Sequence, residues 1–207
     1  AYKTVKLPKE INFIPKIPNH NNFKINVIKT KLPGIMTFKE VINVNIKFNS
    51  WNEILDKYSL CHLTVVERHG INGEFAHGFL QNFNLKFGAV ASSVGHDAHN
   101  LIIAGNNEKD MKYATELIDE YQGGVVIVNQ GKLVSSLKLP IAGLLSDKKA
   151  SEVAKDNRIF KDHWIKAGCT LSYMGFNLLP LSVIPNFRIT NKGLIDVNSM
   201  KIVPLFE

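Results

Sequence analysis

A chain of 207 residues, 45% of them hydrophobic, suffices for one sizeable core or for one domain with an accessory segment. Charged residues are 21% and aromatics 9%, and no apolar run approaches the roughly 18 residues a membrane helix needs, which excludes a disordered chain and a helical membrane protein. The net charge of +7 is concentrated early, where Lys3, Lys6, Lys9, Lys16, Lys24, Lys29, Lys31 and Lys39 face only Glu10. No clustered arginine or interleaved aromatic-basic motif accompanies these lysines. They read as solvated faces, and a basic nucleic-acid-binding domain is a distant rival.

The N-terminus lacks the apolar stretch of a signal peptide, and the chain begins with Ala1, so a processed chain or an excised fragment is open from the first residue. Cys61 and Cys169 are isolated, with no C-x-x-C pair, which fits a reducing, cytoplasmic setting and two small apolar side chains.

In chain order, residues 1–22 carry Pro8, Pro15, Pro18, Asn19, Asn21 and Asn22, and predict an extended or poorly ordered linker. Residues 23–49 alternate with period two through Phe23, Ile25, Val27, Phe38, Ile42, Val44, Ile46 and Phe48. They predict strands with a turn at Pro33-Gly34. Trp51 to Tyr58 predicts a short helix capped by Ser50 or Asn52. Strands are expected at 63–66, at 88–93, at 101–104 and at 125–128, the last turning at Asn129-Gln130-Gly131 into another through Leu133 and Leu137. Asn107 with Asp110 starts a helix striped by Met111, Ala114, Leu117 or Ile118, and Tyr121, and ended by Gly123-Gly124. Ser146 or Asp147 is expected to cap a long helix striped by Ala150, Val153, Ala154, Phe160, Trp164 and Ala167. Short strands and proline turns fill 170–207. The expected class is α/β, in the α+β sense: a mixed β-sheet layered with helices across 50–207, preceded by a few strands.

Five of the seven histidines lie between residues 62 and 99. The densest polar point is Gly95-His96-Asp97-Ala98-His99-Asn100, set between two apolar runs, where a rigid scaffold displays functional groups. His96 and His99, three apart in a turn, can converge on one ion or ligand, with Asp97 orienting an imidazole. The same residues equally suit an Asx turn whose histidines satisfy backbone groups, and H-x-x-H alone is short of the three or four ligands zinc takes. Glu67-Arg68-His69 follows the strand 63–66. It reads either as an acceptor or base, a planar fork and a donor around a polar ligand, or as a strand-closing ion pair. His77 reads as surface, and His20, His62 and His163 as structural or solvated. Asp110 and Glu108 read as first-turn helix charges. H-x-H, H-E-x-x-H, G-x-S-x-G, a phosphate loop and the C-x-x-C of small zinc deaminases are absent, so the sequence displays no self-sufficient catalytic centre.

Val65-Val66-Glu67-Arg68-His69-Gly70-Ile71-Asn72-Gly73, then Gly78-Phe79, Leu85-Lys86 and the run from Gly88 to Asn100, resemble the C-terminal domain of adenine deaminases. Leu139 to Ser146 and Gly193 to Val197 agree, and the resemblance extends from about Phe23 to the end. It departs at Gly95 and Ala98, where alanine and serine are common, and at Asn84 and Phe87, where glycine and arginine are more usual.

The resemblance implies a share in an amidohydrolase that converts adenine to hypoxanthine and ammonia with a divalent metal (manganese, iron or zinc). The metal ligands would lie mostly on an N-terminal barrel outside this chain, and the chain alone would be inactive. Residues 23–49 would close a composite β-sandwich, and 50–207 would be the appended domain. Carried over, Glu67, His69 and His96 become candidate catalytic residues. Arg68, Asp97, His99 and Asn100 become candidate substrate contacts, with His96 and His99 as auxiliary metal ligands. The implied partners are the barrel, adenine and further copies in a homo-oligomer. A stand-alone purine- or metal-binding module without catalysis is the alternative.

Overall fold

A computed structural model of the chain describes residues 2–19, 22–31, 34–45 and 50–207. His20, Pro33, Ile46 and Phe48 lie outside the described residues. The period-two alternation does form strands: β1 (Phe23–Thr30) and β2 (Thr37–Val44) pair antiparallel over their full length. After α1 (Trp51–Tyr58) come β3 (Leu60–Val66), β4 (Phe75–Gln81), β5 (Ala89–Gly95) and β6 (Asn100–Gly105). Then follow α2 (Glu108–Tyr121), β7 (Gly124–Asn129), β8 (Lys132–Lys138), α3 (Ala150–Lys166) and α4 (Tyr173–Asn177). Three short strands, β9 (Phe187–Thr190), β10 (Gly193–Asp196) and β11 (Lys201–Val203), form a separate small sheet.

The main sheet has eight strands in the order β2-β1-β4-β3-β6-β5-β7-β8. It is mixed: β1 runs parallel to β4, and the other neighbours are antiparallel. β1 and β2 thus lie in one sheet with the strands of the expected 50–207 unit. β3 is buried at every position because both faces of the sheet are covered. On one face Leu63, Val65, Val90, Ile102 and Ile127 pack under Phe160 and Trp164 of α3, Phe176 of α4, and Phe187 and Ile189 of β9. On the other, Ala91, Leu101, Ile103 and Val126 meet Met111, Ala114, Leu117 and Ile118, the expected stripe of α2. α1 closes the β1 end with Trp51, Ile54 and Leu55.

Three expectations change. Residues 2–19 form no helix or multi-residue strand, yet they are pinned to the sheet: Phe13 is 3% exposed, its carbonyl accepts from Thr64 Oγ1 at 3.0 Å, and Trp51 Nε1 donates to the Pro15 carbonyl. Proline removed the ladder hydrogen bonds there, but not the burial of the apolar residues between the prolines. α3 starts two or three residues later than expected, with Lys149 at its N-cap; of the expected stripe Ala150 and Ala154 are exposed, Val153 packs half-buried at the edge of the core, and Phe160, Trp164 and Ala167 are buried in it. α4 was not expected, because five residues are too few to carry a periodic signal. Among the described residues no helix is long and apolar enough to cross a membrane.

Candidate functional site

β3 and β4 are joined by an eight-residue loop, and Glu67 opens it. Its carboxylate accepts from the backbone N–H groups of His69 (2.5 Å), Ile71 (3.0 Å), Asn72 (3.2 Å) and Gly73 (3.1 Å). Gly73, at φ +66°, permits the left-handed turn that aims these amides at one point. Burial raises the Glu67 pKa, but the amides outweigh it and hold the carboxyl below its usual value. A carboxylate occupied on both oxygens positions the loop; it is not a free base.

Arg68 turns inward and is 1% exposed. Nε donates to the carbonyls of His99 (2.5 Å) and Ser93 (3.3 Å), and Nη2 to that of Ala142 (3.1 Å). Nη1 is buried with no partner. The guanidinium lies against Gly143, where a methyl group would stand 2.9 Å from Cζ and both terminal nitrogens. Ser93 ties the same turn down by donating from Oγ to the Gly143 carbonyl at 2.6 Å. Burial lowers the Arg68 pKa, and the nearby Glu67 charge opposes that. Arg68 therefore anchors the histidine loop from beneath.

The loop between β5 and β6 holds the remaining candidates. His69 comes to it from the β3 side: Nε2 donates to the Ala98 carbonyl at 2.8 Å. The His96 and His99 rings stand 5.2 Å apart, edge to face. Ligand-capable atoms of His96, Asp97 and His99 all lie within 4.8 Å of one another. Burial lowers the His99 pKa, as do His96 and Arg68; Asp97 and the Val94 carbonyl act the other way. Its Nδ1 is buried without a partner. Asn100 is buried and donates to Asn191 Oδ1 at 3.0 Å, and Asn191 donates in turn to Glu74.

Glu67, Arg68, His69, His96, Asp97, His99 and Asn100 thus gather at one end of the central strands, with His69 and Asp97 exposed and His96 and His99 half-buried. A shallow cleft of about 330 Å³ opens beside them, lined by Asp97, Asn100, Pro180, Ser182, Thr190 and Asn191 among others. A larger hollow of about 790 Å³ between residues 7–13 and α2 is lined by apolar, lysine and acidic side chains and by none of these seven residues. Asn191 and Ser182 arrive from the tail, where no motif marks them. Ala142 and Gly143 lie in the segment Leu139 to Ser146, and Arg68, which donates to the Ala142 carbonyl, is 74 residues away from Ala142. His77 and His62 stand apart from the site. His77 is half-buried beneath Phe13, not on the surface, and burial lowers its pKa to about 4. His62 is buried against Trp51 and Phe79, also at about 4.

Comparison with known proteins agrees with the motifs. The profile of the adenine deaminase C-terminal domain matches residues 29–201. An adenine deaminase of Chelativorans sp. (strain BNC1) is 54% identical over 100% of this chain and 34% of its own length. Adenine deaminase 3 of Rhizobium johnstonii is 53% identical with the same coverage. The adenine deaminase of Thermosipho africanus is 39% identical over 94% of this chain and 34% of its own. The chain therefore spans about a third of the length of the curated relatives it matches, and with a matched profile over most of its residues it belongs to the adenine deaminase C-terminal domain family.

Proposed function

We propose that the chain is the C-terminal part of an adenine deaminase, an amidohydrolase of purine metabolism in which adenine and water give hypoxanthine and ammonia, and that its histidine end covers or completes the site of that reaction. The observation that carries this is the gathering of seven polar residues from two distant segments at one end of the sheet, in a chain a third as long as its relatives. Three exposed apolar side chains flank the cluster: Ile71 (79% exposed) in the Glu67 loop, Leu145 (63%) beyond the Gly143 turn, and Val183 (73%) beside Ser182 of the cleft. An apolar rim around a polar cluster suits contact with another protein surface, and we assign that surface to the N-terminal barrel of the same protein.

A divalent metal, with ligands mostly outside this chain, would supply hydroxide at neutral pH. The chain's own part is to bind and orient. His69 and His96 present imidazoles that can accept or donate a proton at the purine edge. Asp97, His99 and Asn100 would contact the base, and Glu67 and Arg68 fix the two loops so that these groups hold their positions. Two free buried cysteines agree with a cytoplasmic setting. A homo-oligomeric assembly is part of the proposal on the resemblance alone.

The test is ammonia release from adenine, by the 207-residue chain and by the protein at its natural length, each with manganese, iron or zinc. Release by the longer protein alone is the expected result. Release by the short chain would overturn the division of labour, and release by neither would overturn the activity.

A further inference from the structure

We propose that His96, Asp97 and His99 bind one divalent transition-metal ion at the rim of the sheet, separate from any metal held elsewhere in the protein. Two imidazoles and a carboxylate suit zinc, manganese, iron or cobalt better than calcium or magnesium, which prefer oxygen. Donor atoms within 4.8 Å of one another can meet a common ion with side-chain rotation, since metal–ligand bonds of about 2.0–2.2 Å place ligands roughly 3–4 Å apart. His99 adds an independent sign: its Nδ1 is buried with no hydrogen-bond partner, a state that usually marks a missing ligand or water.

The surroundings are those of a supported metal loop. His69 Nε2 holds the Ala98 carbonyl and Arg68 Nε the His99 carbonyl at one end of the four-residue segment 96–99, and at the other the His96 N–H donates to the Asn177 carbonyl at 2.8 Å. Asp97 offsets one positive charge of the ion. Three protein ligands leave coordination positions open, and Asp97 lines the cleft, so a nitrogen or oxygen donor entering there could complete the sphere. The inference rests on the reading above and revises it: with the ion bound, His96, Asp97 and His99 would meet the base through an open coordination position and His69 would remain the group that exchanges a proton, and the readout is independent of adenine.

The experiment measures bound metal in the protein at its natural length after equilibrium dialysis against zinc or cobalt, for wild type, His96→Ala, His99→Ala and His69→Ala. The expected result is one equivalent fewer in His96→Ala and His99→Ala with unchanged far-ultraviolet circular dichroism, and binding weakened about 10- to 100-fold in His69→Ala, which loses only a supporting bond. Asp97→Ala, at an exposed position, serves as the variant least able to disturb folding, and it also lowers the metal content. Equal metal in wild type and all of these variants would overturn the proposal whatever the ammonia assay gives. Loss of ammonia release with metal content intact would count against the assignment of the loop to metal and leave the adenine reading standing.

Discussion

Two arginines lie fully inside this protein, and they are held differently. Arg188, on β9, donates through Nε to the Ile184 carbonyl, through Nη1 to Leu178, and through Nη2 to Ile35 and Pro185. Arg68, at the end of β3, has three carbonyl partners and one terminal nitrogen with none. Neither forms an ion pair among the described residues. A guanidinium keeps its proton under burial, so the chain has to surround it with carbonyl oxygens. Where the set is complete, as at Arg188, the region is a structural knot joining the tail to the turn before β2. Where it is incomplete, as at Arg68, the knot sits under a loop of ligand-capable histidines. Arg68 Nη1 and His99 Nδ1 are both buried without a partner here, as are His62 Nδ1 and His77 Nδ1 elsewhere in the sheet.

The comparison breaks if the two arginines respond alike. Arg188→Met removes a donor from four carbonyls, of which Leu178 keeps the Leu181 N–H, and is expected to cost about 3–5 kcal/mol in urea unfolding, against about 2 kcal/mol for Arg68→Met. Equal losses would mean that the open donor of Arg68 has no significance. A buried imidazole sharpens the contrast, because histidine can give up its proton where arginine cannot. Burial, reinforced by His77, lowers the His62 pKa to about 4. The unfolded chain then binds the proton first as pH falls, so stability is full above pH 6.5 and declines toward pH 4, by about 3 kcal/mol from this group. His62→Leu should flatten that decline in denaturant midpoints measured across the range.

A smaller effect tests the contact beneath Arg68. Gly143→Ala places a methyl 2.9 Å from the guanidinium at φ +72°, and is expected to cost about 2 kcal/mol in thermal unfolding, while Gly175→Ala, with its nearest neighbour at 3.4 Å, stays near neutral. The smallest change is expected at Glu67. Glu67→Gln keeps a single acceptor oxygen for four amides and costs about 1–2 kcal/mol at neutral pH. The depressed carboxyl contributes stability in full above its ordinary value of 4.5 and loses it as pH falls through the folded value, so the variant should also show a flatter acid limb.

Much of the fold was legible because it is written locally. α1 occupies Trp51–Tyr58 as expected, and α2 is capped by Asn107 Oδ1 accepting from the Asp110 N–H at 2.8 Å. Ser50 sits at the N-cap of α1 without the side-chain bond its type suggested. Asp110, read as a first-turn charge, also accepts from Gln130 and Gly131 and so joins α2 to the turn between β7 and β8. At the candidate site the sequence marks out residues, and only the fold shows what each side chain touches. Glu67-Arg68-His69 looked like a single polar triplet. In the fold its three side chains diverge: one into its own loop, one under the histidines, one onto the Ala98 carbonyl.

The sequence by itself determined which stretches are strands and helices, that the histidine loop lies between two buried strands, and to which family the motifs point. Those properties follow from residue periodicity, turn chemistry and short-range spacing, which a linear reading contains. Tertiary structure alone decided that β1 runs parallel beside β4, that residues 2–19 lie against the sheet, that Asn191 meets Asn100 across 91 positions, and that Arg68 finds its carbonyls in strand β5, in the histidine loop and in the turn at Ala142. A side chain's partner in a packed interior is set by whichever distant segment the topology brings within about 3 Å, and nothing in the local pattern encodes that choice.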